Sequence, residues 1–392
     1  MALNMNESLF NEYKNVKSSN GWTIARAINT GILYPESFVG CHAGDQESYH
    51  IFSKFFYPII ESYHTGFKVG QSQHKTNLNI EDLKINFSEN ASNRIISSRI
   101  RCARQITGFP LNPSGSLQSR KEILELMQKV VSQLPEEFQG QLIQHDKMTP
   151  EQEKQLIEDH FLFKGKDKMQ AASGYHEHWP HGRGIFHNNK KTFMIWINEG
   201  DHLRVISMDG KDIKQVFNKF SQGLNLIENI LKRELQNHQF KWNQIQYQQQ
   251  EQQEQEQQQQ DKNDQVEKES NKQQVQQNII DSAFQFDDQL GTITCCPSNL
   301  GGGLRASVHI KLPRLAEKYG LHGLDEICRK MHCQARGSSG EHSSIVDRID
   351  ISNWRRLGFS EIELVSDIIN CVNVLSQQEL ELEQLELQEN QN

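Results

Sequence analysis

The stretch 295–312, C-C-P-S-N-L-G-G-G-L-R-A-S-V-H-I-K-L, decides how the rest of the chain is read. Three successive glycines, Gly301, Gly302 and Gly303, contribute no side chain and lose the most backbone entropy on folding, so they mark a close approach of the main chain to another group. Polarity then alternates with period two. Leu304, Ala306, Val308, Ile310 and Leu312 fall on one face of a strand, and Arg305, Ser307, His309 and Lys311 on the other. An open face carrying Arg, His and Lys suits an anion, although a half-buried strand with a merely solvated face would alternate in the same way. Cys296 lies beside this cationic surface, where a thiolate is favoured.

A second strand of the same kind lies upstream at 93–112, N-R-I-I-S-S-R-I-R-C-A-R-Q-I-T-G-F-P-L-N. Ile96, Ser98, Ile100 and Cys102 share one face, and Ser97, Arg99 and Arg101 the other. Two arginines side by side repel one another unless an anion sits between them. The run 192–208, T-F-M-I-W-I-N-E-G-D-H-L-R-V-I-S-M, reads as a strand, a short acidic turn and a second strand opened by Arg204. At 334–357, Arg336 and Glu341 bracket the loop of Gly337, Ser338, Ser339 and Gly340, a composition suited to a closing lid. The segment 34–45, Y-P-E-S-F-V-G-C-H-A-G-D, is an irregular loop. Residues 49–67 have the spacing of an amphipathic helix interrupted or kinked at Pro58. Residues 115–157 read as mostly helical, and a further helix is expected from Asp212 to about Leu235.

Composition excludes several functions. The 392 residues carry a formal net charge of -8, so no global basic field points to nucleic acid. Seven cysteines without a CxxC pair argue for a reducing compartment and against a disulfide framework or zinc site. No apolar run is long enough to span a bilayer, and a cytoplasmic location is the expectation. Neither a Walker A run nor the protein-kinase motif set is present. Residues 237–281 are dominated by Gln, Glu, Lys and Asn and read as a disordered insertion. Closing such a loop costs only about 2 kcal/mol more than closing a short one, so the core on either side need not change.

The run C-P-S-N, the glycine turn and R-A-S-V-H together resemble the signature segment of the ATP:guanidino phosphotransferases, the phosphagen kinases such as arginine and creatine kinase. S-S-R-I-R-C-A-R, W-P-H-G-R-G-I-F-H-N at 179–188 and the 192–208 run are similar to segments of the same family. The resemblance implies an α+β fold: a small all-α domain at 1–67, a linker at 68–93, and a large domain at 94–382 with an antiparallel sheet flanked by helices, followed by a tail at 383–392. It implies a nucleotide site at Ser97, Ser98, Arg99, Ile100, Arg101, His160, Arg204, Arg305, Ala306, Ser307, Val308, His309, Arg336, Gly337, Ser338, Ser339, Gly340 and Glu341. The acceptor falls to Ser37, Phe38, Val39, Gly40, Cys41, His42, Gly200, Cys296 and Glu341, with Glu341 and Cys296 catalytic. ATP and ADP are the implied co-substrates, with magnesium carried by the nucleotide and no protein ligand to it. Glu341 draws the acceptor towards L-arginine.

The chain departs from the family pattern at three positions. Phe38 stands for a glycine, His42 for a tyrosine, and Gly200 for the second, catalytic glutamate of the acidic turn. These departures leave open a slow kinase, a kinase for another guanidino compound, or a nucleotide-binding pseudoenzyme. Monomer and dimer also stay open.

Overall fold

The computed structural model of the chain describes residues 1–165, 167–260, 280–337 and 348–389, with backbone alone for 238–260. Four helices open the chain: α1 (Glu7–Tyr13), α2 (Ile24–Leu33), α3 (Ser48–Ile51) and α4 (Ser53–Tyr63). Asn6 and Thr23 cap α1 and α2, their side-chain oxygens accepting from the backbone N–H groups of Leu9 and Arg26. The helix expected over 49–67 is divided at Phe52, whose φ of -101° and ψ of 37° leave the helical region, while Pro58 sits inside the continuous α4. Trp22, Phe52, Phe55, Phe56 and Ile60 form the core of this small helical unit. Gly44 is required there, because a Cβ would lie 2.2 Å from Trp22 Cδ2. Leu290, Ile293, Cys295 and Leu300 of the larger unit close the same core.

A stretch that packs Leu78, Ile80, Ile85 and Phe87 against the main core leads through α5 (Glu89–Arg94) into β1 (Ile95–Arg104). The order then runs α6 (Leu117–Ser132), β2 (Gly140–Gln144), α7 (Pro150–Glu158), α8 (Lys168–Ser173), β3 (Gly184–Asn188), β4 (Phe193–Ile197), β5 (Leu203–Met208) and α9 (Ile213–Gln260). A small ribbon, β6 (Phe286–Asp287) with β7 (Gly291–Thr292), precedes β8 (Leu304–Ile310), α10 (Pro313–Arg329), β9 (Cys333–Gly337), β10 (Ile349–Asn353) and α11 (Glu361–Glu389). Eight strands form one antiparallel sheet in the order β2-β3-β4-β5-β1-β8-β10-β9. The edge strand β2 lies in a region expected to be helical. Helix α9 runs past the expected end near Leu235 to Gln260, into the Gln-rich segment expected to be disordered; Gln and Glu are good helix formers once a helix is nucleated. The rest of that insertion, 261–279, lies outside the described residues.

The two faces of the sheet differ in chemistry. Ile100, Cys102, Val205, Leu304, Ala306, Val308 and Ile351 are buried on one face, against α9 and α11. A register shift between Ile95 and Ser97 sets the phase of β1, so Ile95 is buried in place of the expected Ile96. The opposite face carries Arg101 directly across from Arg305, and Ala103 across from Arg204. Asp350 lies across from both His309 and Arg336.

Asn353 fixes the start of β8 where the ladder ends. It is fully buried, its Oδ1 accepts from Ala306 N at 2.8 Å, and its Nδ2 donates to the Leu304 and Arg355 carbonyls at 3.1 and 2.7 Å. Each buried polar group left unpaired costs about 1–3 kcal/mol. Asn353→Ala is therefore expected to lower the unfolding free energy by at least about 2 kcal/mol, as read from the urea midpoint at unchanged m-value.

Candidate active site

On the polar face of the sheet lies a cavity of about 150 Å³, lined by Tyr63, Arg101, Arg204, Ser298, Asn299, Arg305, Arg336 and Arg356 among others. The strands supply Arg101, Arg204, Arg305 and Arg336 because period-two alternation sends these residues away from the helices. Arg305 donates to Asp350 at 2.7 Å and to Ser352 Oγ at 3.2 Å. Arg204 lies 3.1 Å from Glu199 and 3.3 Å from Asp201. Arg336 donates to Gln334 at 3.1 Å, and Arg356 to the Ser298 carbonyl at 2.6 Å.

Among the described residues Arg101 makes no hydrogen bond or ion pair, although it stands opposite Arg305. Burial, then Arg305, Arg99 and Arg204, push its guanidinium well below its ordinary value. Burial also draws Arg305 down to about 10, opposed by Asp350 and reinforced by Arg336. For Arg204 burial acts downward, but Glu199 and Asp201 outweigh it and raise the value. Arg99 lies over Trp196, 5.9 Å from the ring, with Nε and Nη2 buried and unpartnered. Like charges across a strand pair are destabilising unless something neutralises them. Planar guanidinium donors aimed into one cavity suit the oxygens of a phosphate.

At the other side of the cavity the acidic turn is tied to the segment that carries Cys296. Asp201 accepts from Cys295 N at 3.1 Å, and Cys295 Sγ donates to the Gly200 carbonyl at 3.3 Å. The Cys295 carbonyl accepts from Ala43 N at 2.8 Å, joining the 34–45 loop to the same point. Glu199 and Asp201 both face Arg204, so neither reaches across the gap at Gly200. Gly200 has no left-handed φ, and a Cβ there would meet Arg204 Nη2 at 3.4 Å and Tyr175 at 3.5 Å, ordinary contacts. Burial raises the Cys296 thiol above its ordinary value; hydrogen bonds from Ser298, whose Oγ is 3.1 Å away, act downward. The thiolate expected from the cationic surroundings is thus offset by desolvation.

The remaining expected site residues separate into groups. Ser97 and His309 meet at 3.2 Å on the polar face, and Ser307 lies opposite Arg99. Ser98, Ile100, Ala306 and Val308 turn their side chains to the helical face, so only their main chain is available to a ligand. His160 follows α7 as an exposed residue at φ 58°, and no described contact joins it to the arginines. In the loop, Gly40 adopts φ +69° and would clash with Gly31 if it had a Cβ. Ser37 and Val39 are partly buried, and Cys41 is fully buried. Phe38 is 87% exposed and packs edge-on against Tyr63, which lines the cavity. His42 lies 3.3 Å from Thr30 Oγ1, and burial lowers it to about 4. Gly337 ends β9, whereas Ser338, Ser339, Gly340 and Glu341 lie outside the described residues. Sequence reasoning missed Arg356 and Tyr63. Arg356 follows the period-two run in W-R-R-L, and Tyr63 ends an ordinary amphipathic helix, so neither carried a local signal.

This fold and this site define a phosphotransferase. The family model for the ATP:guanido phosphotransferase C-terminal catalytic domain matches residues 122–252 and 257–382, and that for the N-terminal domain matches 1–61. Creatine kinase B-type from Gallus gallus is 37% identical over 392 residues, 98% of this chain and 89% of that protein. An arginine kinase from Stichopus japonicus is 36% identical over 378 residues, 96% of this chain and 88% of that one. The crystal structure of a lombricine kinase matches with a TM-score of 0.80 at 32% identity, covering 97% of this chain and 92% of that chain. The chain belongs to the ATP:guanido phosphotransferase family, enzymes that act on guanidino groups. No helix among the described residues is long and apolar enough to cross a membrane.

Ser298 supplies the hydrogen bonds that oppose desolvation at Cys296. Ser298→Ala is therefore expected to move the pH midpoint of Cys296 alkylation by iodoacetamide upward, with the other thiols masked by their burial. An unchanged or lower midpoint would contradict the hydrogen-bonding role.

Proposed function

We propose that the chain transfers the γ-phosphate of MgATP reversibly to a guanidino acceptor, L-arginine being the favoured one, at a rate reduced by the glycine at position 200. The observation that carries this reading is the convergence of arginines from separate strands on one cavity, where Arg101 makes no ion pair among the described residues. Phosphoryl transfer asks little covalent chemistry of a protein; positioning and neutralisation of charge on the transferring group dominate. Arg99, Arg101, Arg204, Arg305 and Arg336 would hold the phosphates, and Arg356 would support the Ser298 side of the cavity. Orphaned guanidinium nitrogens on Arg99 and Arg305 fit polyphosphate oxygens. Magnesium would come with the nucleotide and neutralise charge on its phosphates. Among the described residues no group of three His, Cys, Asp or Glu side chains is placed to hold a metal.

A guanidinium is cationic and a poor nucleophile, so the site must orient it and help remove a proton. Cys296 and Glu341 are the groups assigned to that task, and Glu199 is engaged by Arg204. The acceptor itself rests on Glu341 and on the relatives, which are named for creatine, arginine and lombricine at similar identity. Gly200 favours a second reading, a nucleotide-binding protein with impaired transfer. A coupled assay of the purified protein against a panel of guanidino compounds, run in both directions, separates the two. Turnover with any member supports the kinase, and MgADP binding without turnover supports the alternative.

Two outcomes are expected. Arg101→Ala should weaken MgADP binding in calorimetry more than about tenfold, since one charge-assisted hydrogen bond is worth about 1.5–3 kcal/mol. General-base groups contribute about 10²–10⁴-fold, so Gly200→Glu should raise kcat in a protein whose melting temperature is preserved. A folded Gly200→Glu with no gain over a fast wild type would show that the carboxylate is not needed.

A further inference from the structure

Tyr175 lies outside both the 34–45 loop and the acidic turn, yet it touches both. Its ring stands edge-on to His42 with centroids 5.2 Å apart. On the other side its Cε2 is 3.5 Å from where a Cβ on Gly200 would be. The residue is buried, and burial, followed by Cys295 and Asp201, raises its phenol well above the ordinary value, so the ring is neutral.

The scaffold holds this ring in place with an unusual device. Arg120 and Arg183 are both completely buried, and among the described residues neither has a carboxylate at ion-pair distance. Arg183 donates to the carbonyls of Tyr175 at 2.5 Å, Glu177 at 2.9 Å and His181 at 3.0 Å. Arg120 donates to Asn112 Oδ1 and to the Asn112 and Gly174 carbonyls. Burying a guanidinium without a counter-charge is costly, and here it fixes the backbone around Tyr175. Gly174 ends α8 at φ +93°, where a Cβ would lie 2.8 Å from the Pro113 carbonyl. Helix α8 is itself bonded to α2 through Asn29 and the Ala172 carbonyl at 2.8 Å, and its Gln170 donates to Glu199 at 3.0 Å. The small helical unit, Tyr175 and the acidic turn are thus linked by one continuous chain of contacts.

We propose that Tyr175 is a specificity-determining residue: a neutral aromatic wall, fixed between His42 and Gly200, that selects guanidino acceptors by the size and polarity of their non-guanidino end. The proposal rests on the guanidino-kinase reading above. Gly200 projects no side chain, so the side chains that stand between the loop and the turn at this point are this ring and His42. A ring face of this kind favours apolar or cationic groups over anionic ones.

The test compares wild type with Tyr175→Phe, Tyr175→Leu and Tyr175→Ala, using guanidinoacetate, creatine and L-arginine. KM and kcat are measured for each, with calorimetric binding of the same compounds in the presence of MgADP, and a thermal melt. Tyr175→Phe should keep the ranking of the three acceptors within about twofold. The Leu and Ala variants should change the ratio of KM for L-arginine to that for guanidinoacetate by at least about tenfold. Their affinity for MgADP should stay within about twofold of wild type. A uniform change across all three acceptors, or a wild-type ratio in the folded Leu variant, overturns the proposal; the Leu variant decides if the Ala variant does not fold. Wild type that phosphorylates no guanidino compound refutes the kinase reading alone. The calorimetric ranking then decides about Tyr175, and absence of binding to any of the compounds overturns it as well.

Discussion

Repulsion between arginines on one face of the sheet is the constraint to which the rest of the structure answers. Arg101 and Arg305 are paired directly across β1 and β8, with Arg99 and Arg204 close enough to bear on the same guanidinium. A protein tolerates such an arrangement only if the rest of the fold overrides the repulsion. Here that work falls to the opposite face, where Ile100, Leu304, Ala306, Val308 and the helices α9 and α11 lock the same strands in register. Shifting either strand by one residue would drive the arginines into the apolar core, so the register and the cationic surface are one fact. Planar guanidinium donors gathered at one cavity make a phosphoryl-transfer role physically coherent.

The acceptor side is organised differently, around main-chain junctions. Cys295 receives the 34–45 loop through its carbonyl, holds the acidic turn through its N–H and thiol, and hands the chain on to Cys296. Three segments more than 90 residues apart in sequence are therefore joined at one residue. This explains why the small helical unit has no closed core of its own: Leu290, Ile293, Cys295 and Leu300 complete it. It also explains how the turn keeps its shape without a side chain at Gly200. Glu199 and Asp201 are both held by Arg204, and Tyr175 stands against the space that the glycine leaves.

The departures of structure from sequence reading have local causes. Strand β2 was hidden because Gly140, Gln141 and Gln144 give an edge strand little apolar alternation. The helix over 49–67 breaks at Phe52 because the chain turns to bury that ring in the aromatic core, while Pro58 causes no break. The Cys296 thiol is raised because desolvation depends on packing, which charge patterning along a strand does not report.

The resemblance of its motifs implied the α+β class and the site roles of Arg204 and Arg336; by itself the sequence determined the sidedness of β1 and β8, with Arg101 and Arg305 on the polar face, and the acidic turn with its glycine. These are legible because strand alternation is a local property that fixes which face a residue occupies before any partner is known. Tertiary structure alone decided which of those residues meet. It placed Arg101 opposite Arg305, brought Arg356 and Tyr63 to the cavity wall, and set Tyr175 between His42 and Gly200. The reason is strand order: β1 lies between β5 and β8 in the sheet, so its ladder contacts join residues far apart in sequence, such as Arg101 and Arg305, and no periodicity within a segment encodes them.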